Sequence, residues 1–513
     1  MNRPKNVVTP VWLGGGDAAI LVGEFKVKRE KRVGDFLDNL RAGARAADGR
    51  RLWGVGEVIR LAVPTVLNTI SFTIMQFVDG VMVSSVGKET FSAQLGGGIS
   101  AFTTVCFFIG LLACVSTFAA QNLGAGRPER AARYAWQGVW LGWGAAALLA
   151  VVAIPAAPYL FPLFGHAPEV TRLETLYYQI LVGGAVFSLP ARALGAWFIG
   201  MHRPAITLVA GVAANVVNVA ANYILIFGHL GFPAMGLAGA GLGMVAGFAT
   251  EAAILGVVFL VGPIAREYAT RRQWALSRRE LADLLRIGSP AGAMFVGDIL
   301  MWTIFMAGII GWFGTEAIAA TNILNRYWHL CFMPALGLSA AVSAIVGRYC
   351  GAGKPEIAWR RAHAGLVLVE AYMVTCGIVI WLLREPLVRL FNAEADPIVQ
   401  AIATRAVIFI LICQAFDALS VIFIGALRGA GDTLWPGAMQ LALAYGVGLG
   451  GASLIAYLKP QWGIFGPWSA ASGYVIVLGL VMWGRFLSGR WKRMTVVPAP
   501  AAVPEEVAGL PPV

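Results

Sequence analysis

The sequence predicts an all-α polytopic membrane protein: twelve transmembrane helices in two six-helix lobes related by a parallel pseudo-two-fold repeat. Three observations predict it. Of 513 residues, 58% are hydrophobic and 13% charged, with mean hydropathy +0.72, whereas a soluble domain carries about 25% charged residues. Too few polar groups remain to cover a water-facing surface, which excludes a soluble globular enzyme and a disordered chain. Apolar runs recur with short breaks between about 57 and 488. The two halves of that stretch also repeat each other.

Taken in order, the candidate spans are 57–86, 91–121, 130–155, 170–199, 204–228, 236–262, 286–313, 317–349, 357–384, 397–427, 434–458 and 463–487. A span needs about 20 apolar residues, and roughly 36 residues per unit leave room for one helix and one short loop. Several runs exceed 25 residues, so the helices should tilt or extend beyond the hydrocarbon. The 62 glycines and 17 tryptophans suit close helix packing and interfacial anchoring. Pro64, Pro204, Pro290 and Pro436 fall in or near helix starts, where a missing N–H costs least. The expected organisation is an arm over 1–50, an N-lobe over 51–265, a basic linker over 266–285, a C-lobe over 286–488 and a disordered tail over 489–513.

Charge orients the spans. Lys+Arg minus Asp+Glu is 39 − 27 = +12. The cations fall between apolar runs, so they read as topology signal and not as a nucleic-acid surface. They concentrate at Arg127, Arg130 and Arg133, at Arg266, Arg271, Arg272, Arg278, Arg279 and Arg286, at Arg348, Lys354, Arg360 and Arg361, and at Arg485, Arg490, Lys492 and Arg493. Loops of the other parity hold only Lys88, Arg172, Arg384, Arg389 and Lys459. The positive-inside rule then puts both termini in the cytoplasm of a cell carrying the protein in its inner membrane. The six cysteines lie in or beside apolar segments with no CxxC pairing, and are expected to be small core residues, neither disulfides nor metal ligands.

The repeat is direct. Gly124-Ala-Gly-Arg-Pro-Glu-Arg-Ala-Ala-Arg133 matches Gly351-Ala-Gly-Lys-Pro-Glu-Ile-Ala-Trp-Arg360 at an offset of 227, which also aligns Gly87 with Gly314 and Glu89 with Glu316. Pro64 pairs with Pro290 at 226, and Pro204 with Pro436 at 232. Six spans per half make the repeats parallel. In transporters the cleft between such halves holds the substrate, and rocking of one half on the other alternates its access.

Ionisable residues inside spans are the informative ones, because each costs roughly 2.5–3.5 kcal/mol to insert. Asp79, Asp298 and Asp417 stand out, in the first, seventh and tenth spans. A buried carboxylate either takes a proton or pairs with a cation, and either makes it a candidate ion carrier; the competing reading is an aspartate satisfied by neutral donors. Asn215, Asn218 and Asn222 share one face of the fifth span, where they line a cavity or bond a neighbouring helix. Glu251, Glu370, Arg192, Arg326 and His329 are candidates for a relay, or pair and snorkel. His166, His202, His229 and His363 lie near loops and are expected to be solvated. Trp302, Phe305, Trp328 and Phe332 are candidate cleft liners or packing residues. There is no P-loop signature for ATP drive, no dinucleotide fingerprint and no cofactor motif.

Several motifs together resemble the multidrug and toxic compound extrusion (MATE) transporters over about 52–488. They are Phe77-Val78-Asp79, Ala120-Gln121-Asn122-Leu123-Gly124-Ala125-Gly126, Asn218 to Asn222 followed by Tyr223-Ile-Leu-Ile-Phe-Gly228, Gly236-Leu-Ala-Gly-Ala-Gly241, Gly288-Ser-Pro290 and Gly425-Ala-Leu-Arg-Gly-Ala-Gly-Asp-Thr433. The resemblance implies two lobes around a cleft and export of organic cations or drugs against inward H+ or Na+. It puts Asp79 on the family's N-lobe aspartate and Asn218 on that aspartate's partner. Asp298 and Asp417 fall on the C-lobe acidic positions of the Na+-coupled bacterial branch, whose seventh-helix acid is usually Glu. Asn222 stands where the H+-coupled archaeal branch carries Asp, Met244 where a hydroxyl residue is common, and Cys413 where some members have Tyr. These departures move the expected coupling site to Asp298 and Asp417, with Asp79 as a second site.

The expectation is therefore an antiporter, monomeric, with a small lipophilic or cationic substrate, lipid neighbours, no nucleic-acid partner, and Na+ or H+ as its only bound ion. A lipid-linked oligosaccharide flippase of the same superfamily would want a basic cleft, and only Arg192 and Arg326 stand against three aspartates. A membrane-embedded enzyme would want a nucleophile–base pair or a His/Glu metal cluster, and neither is evident. A channel, a receptor or a transport-inactive scaffold fits the duplication less well.

Overall fold

In a computed structural model the described residues are 54–391, 396–494 and 496–497. The expected arm over 1–50, and the tail beyond 497, lie outside them. The chain divides into Met1–Glu57 and Val58–Val513, and the packing below is that of the second unit. Its helices are α1 (Gly54–Ser84), α2 (Lys88–Gly124), α3 (Pro128–Phe164), α5 (Pro204–Phe227), α6 (Leu237–Leu260), α7 (Arg278–Phe313), α8 (Thr315–Gly351), α9 (Pro355–Leu382), α10 (Pro397–Ala430), α11 (Leu434–Leu458) and α12 (Phe465–Leu487). These eleven are long and apolar enough to span. The twelfth span, α4, is Pro168–Gly183 joined to Ala185–Gly200 through a 46° bend.

Two bounds differ from expectation. α7 starts at Arg278, ahead of its apolar run, and α3 continues through Pro155 and Pro158 to Phe164. Pro204 is an N-terminal proline as expected, but Pro64 and Pro290 sit inside α1 and α7. Polar helical turns outside the bilayer carry no apolar signal, so the apolar run underestimates where these helices begin. The tail is also packed at its start. Arg490–Arg493 form a 3-10 turn, Trp491 stacks on Phe486 at 4.6 Å, and Val497 is buried.

The duplicated Gly-Ala-Gly motif is one backbone device used twice. Gly126 and Gly353 both take the left-handed conformation, at φ +70 and +69. The next residues, Arg127 and Lys354, are nearly superimposable (φ/ψ −121/58 and −118/58), and a proline then opens α3 or α9. Glycine is favoured in the left-handed slot because it has no Cβ to collide with the following carbonyl. The α4–α5 turn repeats the pattern with Arg203 and Pro204, but puts His202 in the left-handed slot at φ +59.

What holds His202 there also holds the two halves of the repeat together. Its Nε2 donates to the Ala344 carbonyl at 3.2 Å, and its Nδ1 accepts from Arg348 at 3.2 Å, so the ring is neutral with its proton on Nε2. Around it the halves meet backbone to backbone. A side chain at Gly124 would overlap the Arg348 carbonyl, and one at Gly351 the Gln121 carbonyl. Gln121 uses both ends of its carboxamide, donating to Gly429 O at 3.0 Å and accepting from Val496 N at 3.1 Å. Thr117 donates to the Arg428 carbonyl at 2.9 Å. All of this lies at the basic end of the bundle. There too Asp432, the acid of the Gly425–Thr433 motif, is paired with Arg485 at 2.8 Å, both buried, with the guanidinium over Trp435. His202 and His363 are thus corrections to the solvated reading: His363 is buried between Trp359 and Phe423. His166 and His229 remain partly or largely exposed.

Burial first, and then the Arg348 charge, push the His202 pKa from 6.5 down to about 3. The closed seam disfavours the imidazolium, so its contribution is complete above pH 6.5 and is lost as pH falls below that value. Between pH 7.5 and 5.5 the open-to-closed ratio should rise about tenfold from this residue alone. Spin labels at the exposed Glu129 and Lys354 positions would read it as a growing long-distance population, and His202→Gly should remove the pH dependence. An unchanged distance distribution across that range, or the same pH response in the variant, would refute the role given to the ring.

Candidate functional site

The first polar site is built by the packing of α5 on α6. Gly239, Gly243 and Gly247 recur every fourth residue of α6, and small residues at that spacing let backbones approach closely. Added carbons there would meet the Leu225 carbonyl, the Asn222 carboxamide, and the Ala214 carbonyl and Asn218 Cβ. The bare stripe turns the asparagine face of α5 toward α1. Asn222 Nδ2 donates to Asp79 Oδ1 at 2.7 Å, and Asn215 Nδ2 donates to Ser71 Oγ at 2.7 Å. Asn218 is buried between them with neither amide atom hydrogen-bonded, and Asn222 Oδ1 is also without a partner. Asp79 is 2% exposed, so it faces protein and not lipid. Tyr177 of α4 is within electrostatic reach of it. Met244 is buried on the same stretch of α6, where it offers no oxygen.

The second site lies among α7, α8, α10, α11 and α12. Asp298 Oδ1 accepts from Gln440 Nε2 at 3.1 Å and from the Tyr474 hydroxyl at 3.4 Å. Asp417 accepts from Trp328 Nε1 at 3.2 Å on Oδ2 and from Ser420 Oγ at 3.0 Å on Oδ1. The two carboxylates act electrostatically on each other, and Tyr474 is in reach of both. Cys413 bonds Ser472 at 3.3 Å one turn before Asp417, and Gln414 is buried with neither amide atom hydrogen-bonded. An aromatic wall backs the site: Trp302 to Trp328 at 5.2 Å and Trp328 to Trp468 at 6.0 Å. Phe305 is fully buried in that wall, against Trp302 and Trp468, and Phe332 is half-buried with no ring contact to it among the described residues.

Among the described residues, none of the three aspartates has a cationic partner. Other buried acids differ: Asp432 holds Arg485 and Glu280 lies 3.5 Å from Arg133, while Glu174 of α4, at 1% exposure, is bonded to the His166 ring at 2.9 Å. The proposed relay is not assembled. Arg326 is exposed and lies over Phe391 at 5.1 Å, and the exposed His329 bonds the Asn325 carbonyl of its own helix. Glu251, Glu370 and Arg192 are half-buried, and no side-chain bond joins any of the five to another or to an aspartate among the described residues. No three His, Cys, Asp or Glu side chains gather to hold a metal there either. Sequence reasoning missed Gln440, Tyr474, Ser420 and Glu174. Glu174 had a signal, a lone acid in an apolar run; the other three look like ordinary span residues until the helices pack.

Gly243→Val should drive a methyl group into the Asn222 carboxamide and cost about 1–3 kcal/mol. Gly256→Val, on the same helix with open space beside it, should leave the melting temperature in detergent unchanged. Equal melting temperatures for the two variants would show that the glycine stripe does not position the asparagines.

The protein-family model MatE matches residues 64–224 and 293–452, once in each half of the chain. A probable multidrug resistance protein NorM of Mesorhizobium japonicum is 28% identical over 476 residues, covering 91% of this chain and 99% of that protein. Its counterpart in Pseudomonas putida is 30% identical over 385 residues, 73% of this chain and 82% of that protein. Among solved structures, a MOP superfamily transporter from Pyrococcus furiosus aligns with a TM-score of 0.78 at 18% identity, over 86% of this chain and 97% of its own. The outward-facing conformation of a multidrug resistance MATE family transporter aligns at 0.77 and 19%, with the same coverage. At such identities the structural likeness speaks to the fold: two six-helix lobes.

Proposed function

The chain belongs to the MatE family, a family of transporters and not of enzymes, and from that premise we propose how it works. It is a multidrug efflux transporter of the membrane. In our reading it exports small lipophilic or cationic organic molecules in antiport with Na+ or H+. It sits in the inner membrane with both termini cytoplasmic, and acts as a monomer whose lobes, 51–265 and 286–488, rock about the basic linker 266–285.

One observation carries the coupling mechanism: three intramembrane carboxylates are held only by neutral donors. A carboxylate with no counter-cation in a low-dielectric interior is costly, and a cation arriving from the other side of the membrane relieves that cost. Asp298 and Asp417 repel each other, so one incoming charge relieves both, which supports the C-lobe pair as the main coupling site. The unpartnered oxygens of Gln414, Asn218 and Asn222 are acceptors already desolvated for a hard cation. With the ion bound, the lobes favour the state that releases substrate outside. Substrate arriving from the cytoplasm displaces the ion, because a carboxylate can satisfy only one cation at a time. Trp302 and Trp328 offer π faces to an organic cation near those acids.

Asp298→Asn and Asp417→Asn should each leave the protein in the membrane and abolish coupled export, with Asp79→Asn weaker. One cation moving down 100 mV would sustain roughly a 50-fold gradient of a neutral drug, and this is the accumulation the variants should lose. Normal export by both C-lobe variants would overturn the assignment. Everted vesicles given a Na+ gradient or a pH gradient separately identify the ion. Drug uptake driven by neither would overturn antiport itself.

A further inference from the structure

One built groove takes no part in the transport sites. At the basic end of the bundle, α3 presents Trp136, Trp140 and Trp143 on one face, by spacings of four and three. Trp136 stacks on Trp140 at 6.0 Å between rings, and Trp140 meets Trp143 edge to face at 5.4 Å. With Leu260 at the end of α6, and with Arg271 and Trp274 of the linker, they enclose a groove of about 550 Å3 open to the surroundings. Trp136 Nε1 donates to the Thr270 carbonyl and Trp140 Nε1 to the Trp274 carbonyl, both at 2.8 Å. The Trp136 and Trp140 N–H groups are therefore spent on the linker backbone, which leaves those two rings as apolar surface toward the groove.

The charge beside this apolar wall is fixed. Arg271 Nε donates to the Leu260 carbonyl, the C-terminal end of α6. This pins the guanidinium at the rim and leaves its terminal nitrogens with no carboxylate among the described residues. Arg272 is exposed next to it and likewise has no carboxylate partner there. Over 266–285 the linker holds Arg266, Arg271, Arg272, Arg278 and Arg279 against Glu267, Glu280 and Asp283, a balance of 5 − 3 = +2. Glu267 is bound to Arg203 at 2.9 Å and neutralises nothing at the groove. Trp274 and Leu276 are 60% and 63% exposed in the same linker, apolar side chains that water would not favour.

We propose that this groove binds an anionic phospholipid, its phosphate on Arg271 and Arg272 and the start of an acyl chain along the tryptophan stripe. The combination selects the ligand. A forked guanidinium with free N–H groups matches a phosphate. An aromatic wall in which Trp136 and Trp140 have their N–H groups already bonded accepts methylenes. A fixed arginine in the wall repels the quaternary ammonium that an aromatic cage alone would favour. A positive-inside loop needs only charge, whereas here the arginine is oriented by a main-chain bond and faces a shaped apolar surface. The inference uses the membrane location and nothing of the coupling mechanism.

The test is native mass spectrometry of the purified full chain in detergent, with phosphatidylglycerol or phosphatidylcholine added at equal concentration. The wild type should retain phosphatidylglycerol in preference to phosphatidylcholine. Retention should fall about fivefold for each arginine removed in Arg271→Gln and Arg272→Gln, and should fall in Trp140→Ala with the charge unchanged. Arg360→Gln, in another basic loop, should keep wild-type retention. Equal retention of the two lipids, undiminished binding in the Arg271 and Arg272 variants, or an equal loss in Arg360→Gln would each overturn the site. No transport assay enters, so a failed coupling mechanism and a failed lipid site remain distinguishable.

Discussion

In a medium without water, every polar group must find its partner inside the protein, and this structure is organised by that accounting. Helices settle the backbone. Side chains then fall into two classes. Some acids are paired with a guanidinium, as Asp432 is with Arg485 and Glu280 with Arg133. The others, Asp79, Asp298 and Asp417, receive only the partial positive charge of amide, indole and hydroxyl protons. The first class holds helices in place. The second has no full positive charge beside it among the described residues.

Glycine decides where the helices meet. At the seam, Gly124 and Gly351 bring main chains of the two lobes into direct contact, which concentrates the closure at the basic end. Within the N-lobe, the stripe Gly239, Gly243 and Gly247 does a different job, pressing α6 on α5 so that three carboxamides are aimed at α1. The same residue type serves inter-lobe closure in one place and site orientation in another. What separates the two uses is which helix lies opposite.

Much of this was legible in the chain. The twelve apolar runs, the duplicated Gly-Ala-Gly turn and the isolated aspartates are local properties, and one-dimensional reading captures them. The partners of the aspartates were not legible. Gln440 reaches Asp298 across 142 positions and Tyr474 across 176, and nothing in an apolar span marks which polar residue faces inward. Arg326 and His329 show the same limit: the sequence leaves a relay and a snorkelling side chain both open, and it is the helical phase that makes both residues exposed. His202 looked like a loop histidine because the Ala344 and Arg348 that enclose it belong to the other lobe.

Two lobes descended from one pattern need not be equally stiff. α7 passes into a π-helical stretch at Ile304–Ile309, just beyond Asp298, and α11 does so at Ala444–Gly450, just beyond Gln440. Among the described residues the N-lobe has no such stretch. A π turn holds one residue more than an α turn, and migrating or releasing it swivels the attached end by about 100° without unravelling the helix. The C-lobe thus holds two such turns, one a few residues past Asp298 and one past Gln440, and among the described residues its twin holds none.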